Sequence, residues 1–449
     1  MKIAMFTDAY WPRVNGVTVS VDSFSRALIK IGHEVMVVCA DYPDTDSGGG
    51  FPAGGGGKGG AAPDLLKIIR VPSMPAIVSK EDRLAKFSEW FRVAKQVEIF
   101  RPDVIHVNTE FIIAEFGFLY GKIYNLPVVY TFHTMWEDYI VNYMPMVPVF
   151  LCHLLAQIVL KNILRRPYKV IVPTPQIREL VKRYKIKKEA FLLPTGIDPD
   201  IFKHDRAEAA GFREKFEGRY PVLKGRRILL FAGRIAREKN LGFLLDILPA
   251  IRSRYPEAVL LFVGNGPDLE YFRKEAEEKG LGECCVFAGY MERADLALVY
   301  AMSDIFVFPS LTETQGLVTL EAMFSGIPVV AIGEMGTAMV MGGDNGGFMV
   351  KNDPGEFTAR VLDLLGDGGL YRRKVEEARI HASAWSIDSL TKKLEAIYQD
   401  TRAAFLQEHG PPRVPVAEWF TEKRKKIIAG MSWRKWSDGY WKKILKWKD

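Results

Sequence analysis

The sequence predicts an α/β fold, with two doubly wound domains facing each other across a cleft. Three observations predict it. Short apolar runs alternate with longer amphipathic stretches, the pattern of a parallel sheet covered on both faces by helices. The alternation runs to about residue 194 and then begins again at 227. At 449 residues, 48% hydrophobic and 26% charged, the chain can bury two cores. These values exclude general disorder, collagen and a disulfide-built scaffold.

In the first half, residues 2–7 (KIAMFT) and 34–39 (EVMVVC) read as buried strands, with an amphipathic helix over about 16–31 between them. Gly32-His33 ends that helix. Further strands are expected at 68–71, 103–107, 128–132, 169–173 and 190–194. Nine glycines within 47–60 read as a surface loop; no strand feeds it and no helix follows, so it is not a phosphate loop. In the second half, strands are expected at 227–233, 258–264, 285–289, 304–309 and 328–333. A helix from about Ser386 to Glu408 follows, and Gly410-Pro411-Pro412 ends the body. The expected division is 1–199, 200–385, a returning helix over 386–410, and a tail over 411–449.

Charge is unevenly placed. The net +7 lies wholly within Arg413–Asp449, where 11 basic residues meet 4 acidic ones; the remainder balances at 50 against 50. The same tail holds five of the nine tryptophans, at 419, 433, 436, 441 and 447. Cys39, Cys152, Cys284 and Cys285 show no C-x-x-C spacing, which favours core thiols in a reducing cytoplasm over a zinc site. No uninterrupted run of 18 apolar residues predicts a membrane span, and MKIAMFTDAYW lacks the form of a cleaved secretory leader.

Ligands of open α/β sheets bind beyond the carboxyl ends of the strands, so the chemistry is sought there. After the first strand, Asn15-Gly16 opens a helix, either as an ordinary turn or as a place where backbone N–H groups meet an anion. After strand 227–233 come Arg234, Arg237 and Lys239, either a solvated loop or a pyrophosphate clamp with Arg234 as fork and Lys239 as point charge. Gly264-Asn-Gly266 follows the next strand and would line the same cleft. Glu313-Thr-Gln-Gly316-Leu317 follows strand 304–309; a helix starting at 314–316 would aim free N–H groups at a diphosphate. Glu321 lies eight residues beyond Glu313, about 12 Å if the stretch is helical throughout. In the first half, Thr131-Phe-His133-Thr134 and on to Tyr139 follow a buried strand.

Over about residues 1–405 these features resemble the family 4 glycosyltransferases of the GT-B fold, which are retaining and use nucleotide-sugars. The Asn-Gly-Val turn, the GR…EKN loop and the E-x7-E spacing occur in order, and PTGID at 194–198 fits the family hinge. FTDAYWPRVNGV, YTFHTMWEDY and ETQGL are similar to diacylglycerol glucosyltransferases. Gly336-Thr-Ala-Met339 stands where the family has a glycine-rich turn followed by a glutamate. The resemblance implies that Gly16 and Gly264 contact the donor, that Arg234 and Lys239 neutralise the leaving phosphates, and that Glu313 holds sugar hydroxyls. It implies that Gly316 and Leu317 bind the diphosphate through backbone groups, that Glu321 binds ribose hydroxyls, and that His133 sits beside the sugar and the incoming hydroxyl. Asn15, Thr134 and Tyr139 would face the acceptor. No resident cofactor is implied, the nucleotide-sugar being a substrate; a divalent metal is not required and at most stimulates. No lysine motif for pyridoxal phosphate is present, and the chain is short for a phosphorylase.

The implied reaction is transfer of glucose from UDP-glucose to a membrane lipid, 1,2-diacylglycerol first. The alternatives are a GDP-mannose-dependent mannosyltransferase acting on another lipid or glycan, and a non-catalytic membrane-binding protein. Residues 144–166 read either as a core helix or as an interfacial one, with Leu151, Leu154, Leu155, Ile158 and Val159 on one side and Lys161, Arg165 and Arg166 at its end. With the indole-rich basic tail, this points to an anionic membrane surface as partner and a peripheral place on the inner face of the cell membrane. Nucleic acid is not expected as a partner.

Overall fold

A computed structural model describes residues 1–13, 15–42, 66–75, 83–133, 148–186, 188–204, 206–313 and 315–413. The strands are β1 (Lys2–Thr7), β2 (Glu34–Ala40), β3 (Leu66–Val71), β4 (Ser73–Pro75), β5 (Arg83–Ala85), β6 (Val104–Val107), β7 (Val128–Thr131), β8 (Lys169–Val172) and β9 (Ala190–Leu192). They continue with β10 (Arg227–Ala232), β11 (Ala258–Val263), β12 (Cys285–Gly289), β13 (Ile305–Phe308), β14 (Val329–Ile332) and β15 (Gly347–Val350). The helices of the first half are α1 (Gly16–Lys30), α2 (Trp90–Phe100), α3 (Ile112–Tyr124), α4 (Val149–Arg165) and α5 (Pro175–Arg183). Those of the second are α6 (Arg206–Arg219), α7 (Leu241–Arg254), α8 (Leu269–Glu278), α9 (Arg293–Met302), α10 (Leu317–Phe324), α11 (Met335–Met341), α12 (Pro354–Gly366), α13 (Gly368–Ser383) and α14 (Ile387–His409).

Two sheets result, as the alternation predicts. The first has order β3-β2-β1-β6-β7-β8-β9 and the second β12-β11-β10-β13-β14-β15. All pairings within both are parallel. The central strands are apolar on both faces because helices cover both: β11 is buried at every position. Strand order reverses between β1 and β6 in the first sheet and between β10 and β13 in the second. A crevice opens at such points because the connections leave to opposite faces.

The sequence reading did not anticipate β15 or the short antiparallel β4–β5 pair. Both are too short, and too broken by glycine or proline, to carry a period.

The first sheet has a core on each face. One holds Phe6, Val38, Val107, Tyr130 and Phe132 against α2, α3, α4 and α5. The other holds Ile3, Met5, Val35, Val37 and Val129 against α1 and, from the far end of the chain, Ile387, Leu390, Leu394 and Tyr398 of α14. Burying side chains of this size contributes about 1.5–3 kcal/mol each, so α14 is held firmly to the first sheet. His33 Nε2 also lies 3.1 Å from Glu395, and Arg402 pairs with Asp103 at 3.2 Å.

The two passages between the halves run side by side. Ile197 N–H donates to Trp385 O at 3.1 Å, and Ile387 N–H donates to Ile197 O at 2.8 Å. A Cβ on Gly196 would stand 2.6 Å from Ile387 Cα, so glycine is needed for this approach.

Candidate active site

The reversal point of the second sheet gathers the charged residues expected there. A pocket of about 440 Å³ is lined by Gly233, Arg234, Glu238 and Lys239 from the segment after β10, and by Thr312 and Glu313 from the segment after β13. Lys239 Nζ donates to Glu313 Oε2 at 2.9 Å, with only 15% and 19% of the two side chains exposed. Arg234, 64% exposed, pairs with Glu238 four residues on. Arg237 turns away: it lies 3.4 Å from Asp268 and over the Tyr271 ring. Two of the three cations read from the loop therefore reach the pocket. Thr312 Oγ1 donates to Glu238 O at 3.2 Å, tying the two segments together.

The helix after β13 begins later than expected. It starts at Leu317, with Gly316 left-handed at φ 71° as its cap. A Cβ at Gly316 would lie 2.7 Å from Gly336 O and 2.8 Å from Val340 Cγ2, so this turn requires glycine on conformation and on space. Gly316 N–H is not left free; it donates to Glu313 Oε1 at 3.3 Å. The amides of Thr319 and Leu320 both reach Gly316 O. The first-turn donors left for a ligand are thus Leu317 and Val318. The 12 Å estimate between Glu313 and Glu321 also loses its premise, since the helix covers only the second half of that interval.

Glu321, on α10, has 13% of its side chain exposed. Its Oε1 accepts from Arg293 Nη2 at 3.4 Å and its Oε2 from the Tyr300 hydroxyl at 3.3 Å. Burial raises its carboxyl above the usual carboxylate range, and Arg293 opposes that rise. Gly264 has a packing reason to be glycine: a Cβ there would meet Gly233 O at 1.9 Å. Its lack of a side chain lets the β10 and β11 loops touch, whether or not a donor lies near.

In the first domain, Asp8 follows β1 and caps α3: it accepts from Thr109 Oγ1 at 2.6 Å and from the amides of Phe111 and Ile113 at 3.2 and 2.9 Å. Desolvation outweighs these bonds and raises its carboxyl to about 6. The Asn15 side chain, expected to face an acceptor, caps α1 by accepting from Thr18 N–H at 2.8 Å. Gly16 opens α1, and a Cβ there would meet nothing within 4 Å. Among the described residues, nothing demands glycine at 16 on grounds of space.

His133 follows β7 by two residues. It is partly buried, and desolvation pushes its imidazole down to about 4, so it is neutral near pH 7. Its Nε2 is buried with no hydrogen-bond partner among the described residues. Beneath it, fully buried His106 is held at both nitrogens, by the Tyr398 hydroxyl of α14 at 2.6 Å and Thr131 Oγ1 at 2.7 Å. Thr134 and Tyr139 lie outside the described residues, as do the glycine-rich segment and the tail beyond 413. The four cysteines are buried and form no disulfide. Among the described residues, no group of three or more His, Cys, Asp or Glu could hold a metal ion.

Arg293 and Tyr300 escaped the sequence reading. The rule that found Arg234, a cation just past a strand's carboxyl end, applies equally to Arg293 after β12.

Comparisons with known proteins agree with this architecture. Residues 14–201 match the family described as Glycosyltransferase Family 4, and residues 212–381 match Glycosyl transferases group 1. An alpha-monoglucosyldiacylglycerol synthase of Streptococcus pneumoniae is 30% identical over 335 residues, covering 74% of this chain and 71% of that protein. One of Acholeplasma laidlawii is 26% identical over 406 residues, covering 89% and 97%. Among solved structures, Anabaena HepE in complex with UDP superposes with a TM-score of 0.65 at 14% identity, covering 89% of this chain and 99% of that one. With two parallel sheets, a charged pocket at the reversal point and these relatives, the chain belongs to the family 4 glycosyltransferases of the GT-B fold and is a hexosyltransferase.

Proposed function

We propose that this enzyme moves glucose from UDP-glucose to the free hydroxyl of 1,2-diacylglycerol at the surface of an anionic membrane, with retention at the anomeric carbon. The observation that carries the acceptor side is the outer face of α4. Phe150 is 74% exposed and Leu154 50%, with Val149, Leu151, Ile158 and Val159 also exposed. Cys152, Ala156, Leu160, Ile163 and Leu164 bury the opposite face. A helix apolar on its solvent side as well as its core side has a further apolar phase to meet. Arg165 at its end suits anionic headgroups, whereas Arg166 is engaged by Glu115 and lies over the Phe118 ring. Among the described residues, no helix is long and apolar enough to cross a membrane, so contact would be interfacial. The two relatives, both named alpha-monoglucosyldiacylglycerol synthase, favour this acceptor and this sugar.

In this reading the acceptor oxygen bonds to the anomeric carbon as that carbon's bond to the diphosphate oxygen breaks. The acceptor proton passes to the leaving diphosphate on the same face of the sugar. Arg234 and Lys239 stabilise the growing negative charge, helped by the Leu317 and Val318 amides. Glu313, already paired with Lys239, would hold sugar hydroxyls; Glu321 would hold the ribose. Neutral His133 has an unpaired nitrogen to offer the sugar or the incoming hydroxyl, and Gly16 would contact the diphosphate. No resident cofactor enters this scheme.

The test is to incubate the protein with diacylglycerol in anionic liposomes, offering UDP-glucose, UDP-galactose and GDP-mannose separately, and to identify the lipid product. α-Glucosyl diacylglycerol from UDP-glucose alone is expected. A mannosylated product from GDP-mannose would replace the donor reading, and no lipid product with any donor would sink the acceptor reading.

A further inference from the structure

Glu321 is held by two donors from one helix. Arg293 and Tyr300 both lie on α9, and the Tyr300 hydroxyl also reaches Val318 O at 3.3 Å. Tyr300 is fully buried, so its position is set by the core. Arg293 differs. It is the first residue of α9, just past the carboxyl end of β12, and 39% of its side chain is exposed. One guanidinium nitrogen, Nη2, is used on Glu321; the Nε, though buried, has no hydrogen-bond partner among the described residues. An unpaired buried N–H is costly, and beside the paired Glu321 carboxylate, one turn along α10 from the pocket-lining Val318, it marks a place for an acceptor atom brought by a ligand.

We infer that Arg293 is a positioning residue for the nucleoside end of the donor: it fixes the Glu321 carboxylate as acceptor for the ribose hydroxyls and offers its Nε–H to an oxygen of the nucleoside. The inference rests on the reading of this pocket as a nucleotide-sugar site. It does not depend on the base, because the ribose is common to UDP and GDP. The titratable and charged groups acting on Glu321 are Arg293 and Tyr300 from α9 and Glu313 from the segment after β13. Of these, only Arg293 carries positive charge. Without it, a buried carboxylate near Glu313 takes up a proton at higher pH and loses an acceptor oxygen.

The experiment measures UDP, GDP and inorganic pyrophosphate binding calorimetrically with the full chain, as wild type, R293M and R293K, from pH 5.5 to 8. R293M is expected to weaken the preferred nucleoside diphosphate about 10-fold, the loss of one charge-assisted hydrogen bond. Pyrophosphate binding should stay within about twofold, since the clamp residues are untouched. The acid limb of nucleotide affinity should move to higher pH in R293M and return towards wild type in R293K, which restores the charge. A merely structural arginine would not shift that limb. Wild-type affinity in R293M at every pH overturns the inference, as does an equal loss of pyrophosphate. Should R293M melt early, R293K decides: it supports the inference if it keeps the wild-type acid limb but binds nucleotide more weakly, and overturns it if both are unchanged. A wild type that binds neither UDP nor GDP sinks the donor reading, and this inference with it.

Discussion

Replacing Phe150, Leu154 and Ile158 together by serine strips the α4 outer face while leaving its buried face intact. The three side chains are 74%, 50% and 45% exposed. Full transfer of such a side chain from water contributes about 1.5–3 kcal/mol, so the exposed fractions contribute about 2.5–5 kcal/mol in all on entering a bilayer interface. That corresponds to roughly 10²–10⁴-fold weaker partitioning. Fold stability should change little, because solvent-facing substitutions usually stay within about 0.5 kcal/mol each. The assay is sedimentation with anionic liposomes, alongside a thermal melt and a UDP-binding titration. Weak sedimentation with unchanged melting and UDP affinity is expected. Undiminished sedimentation would refute the argument, and a large loss of melting temperature would show that protein, not lipid, covers this face.

Arg234→Ala and Lys239→Ala should each lower kcat by about 10²-fold or more, in steady-state assays, by removing charge that opposes the leaving diphosphate. Glu321→Gln should mainly raise KM for the donor and Glu313→Gln mainly lower kcat; reversed effects would exchange the two roles. Gly316→Ala should lower the melting temperature, because the left-handed turn alone costs about 1–2 kcal/mol and its Cβ would clash with Gly336 O. His106 is held neutral, its imidazole pushed down to about 3 by burial. Its contribution to stability is therefore full above about pH 6.5 and is lost as pH falls towards 3, by about 1.4 kcal/mol per unit. A His106→Gln variant should show a flatter loss of melting temperature over that window.

The sheets were legible because parallel strands buried on both faces are written as unbroken apolar runs, as in AVLLFV at 258–263. Helix α10 starts one to three residues later than the sequence predicts because Gly316 is left-handed, and a left-handed glycine is seen only in the backbone. The charges at Arg234, Lys239 and Glu313 could be read, since the segments directly after apolar strands border the crevice. Which of the three loop cations faces it could not, because Arg237 is drawn off by Asp268 and Tyr271, more than thirty residues along the chain. Glycine was the poorest guide. At Gly264 it admits a neighbouring loop and at Gly16 no described residue would touch a Cβ, yet both look alike in sequence.

Helix α14 makes the order of synthesis matter. The second sheet, from β10 to β15, is contiguous in sequence and can close as soon as its residues are made. The first cannot, although β1 is made first. The face carrying Ile3, Met5, Val35 and Val129 needs Leu390, Leu394 and Tyr398, which arrive some 390 residues after Ile3. Until then that face is wet and sticky, and any fragment ending before residue 387 keeps it so. What looks like an N-terminal domain is a folding unit in two pieces, and its expression alone would require α14 to be spliced back.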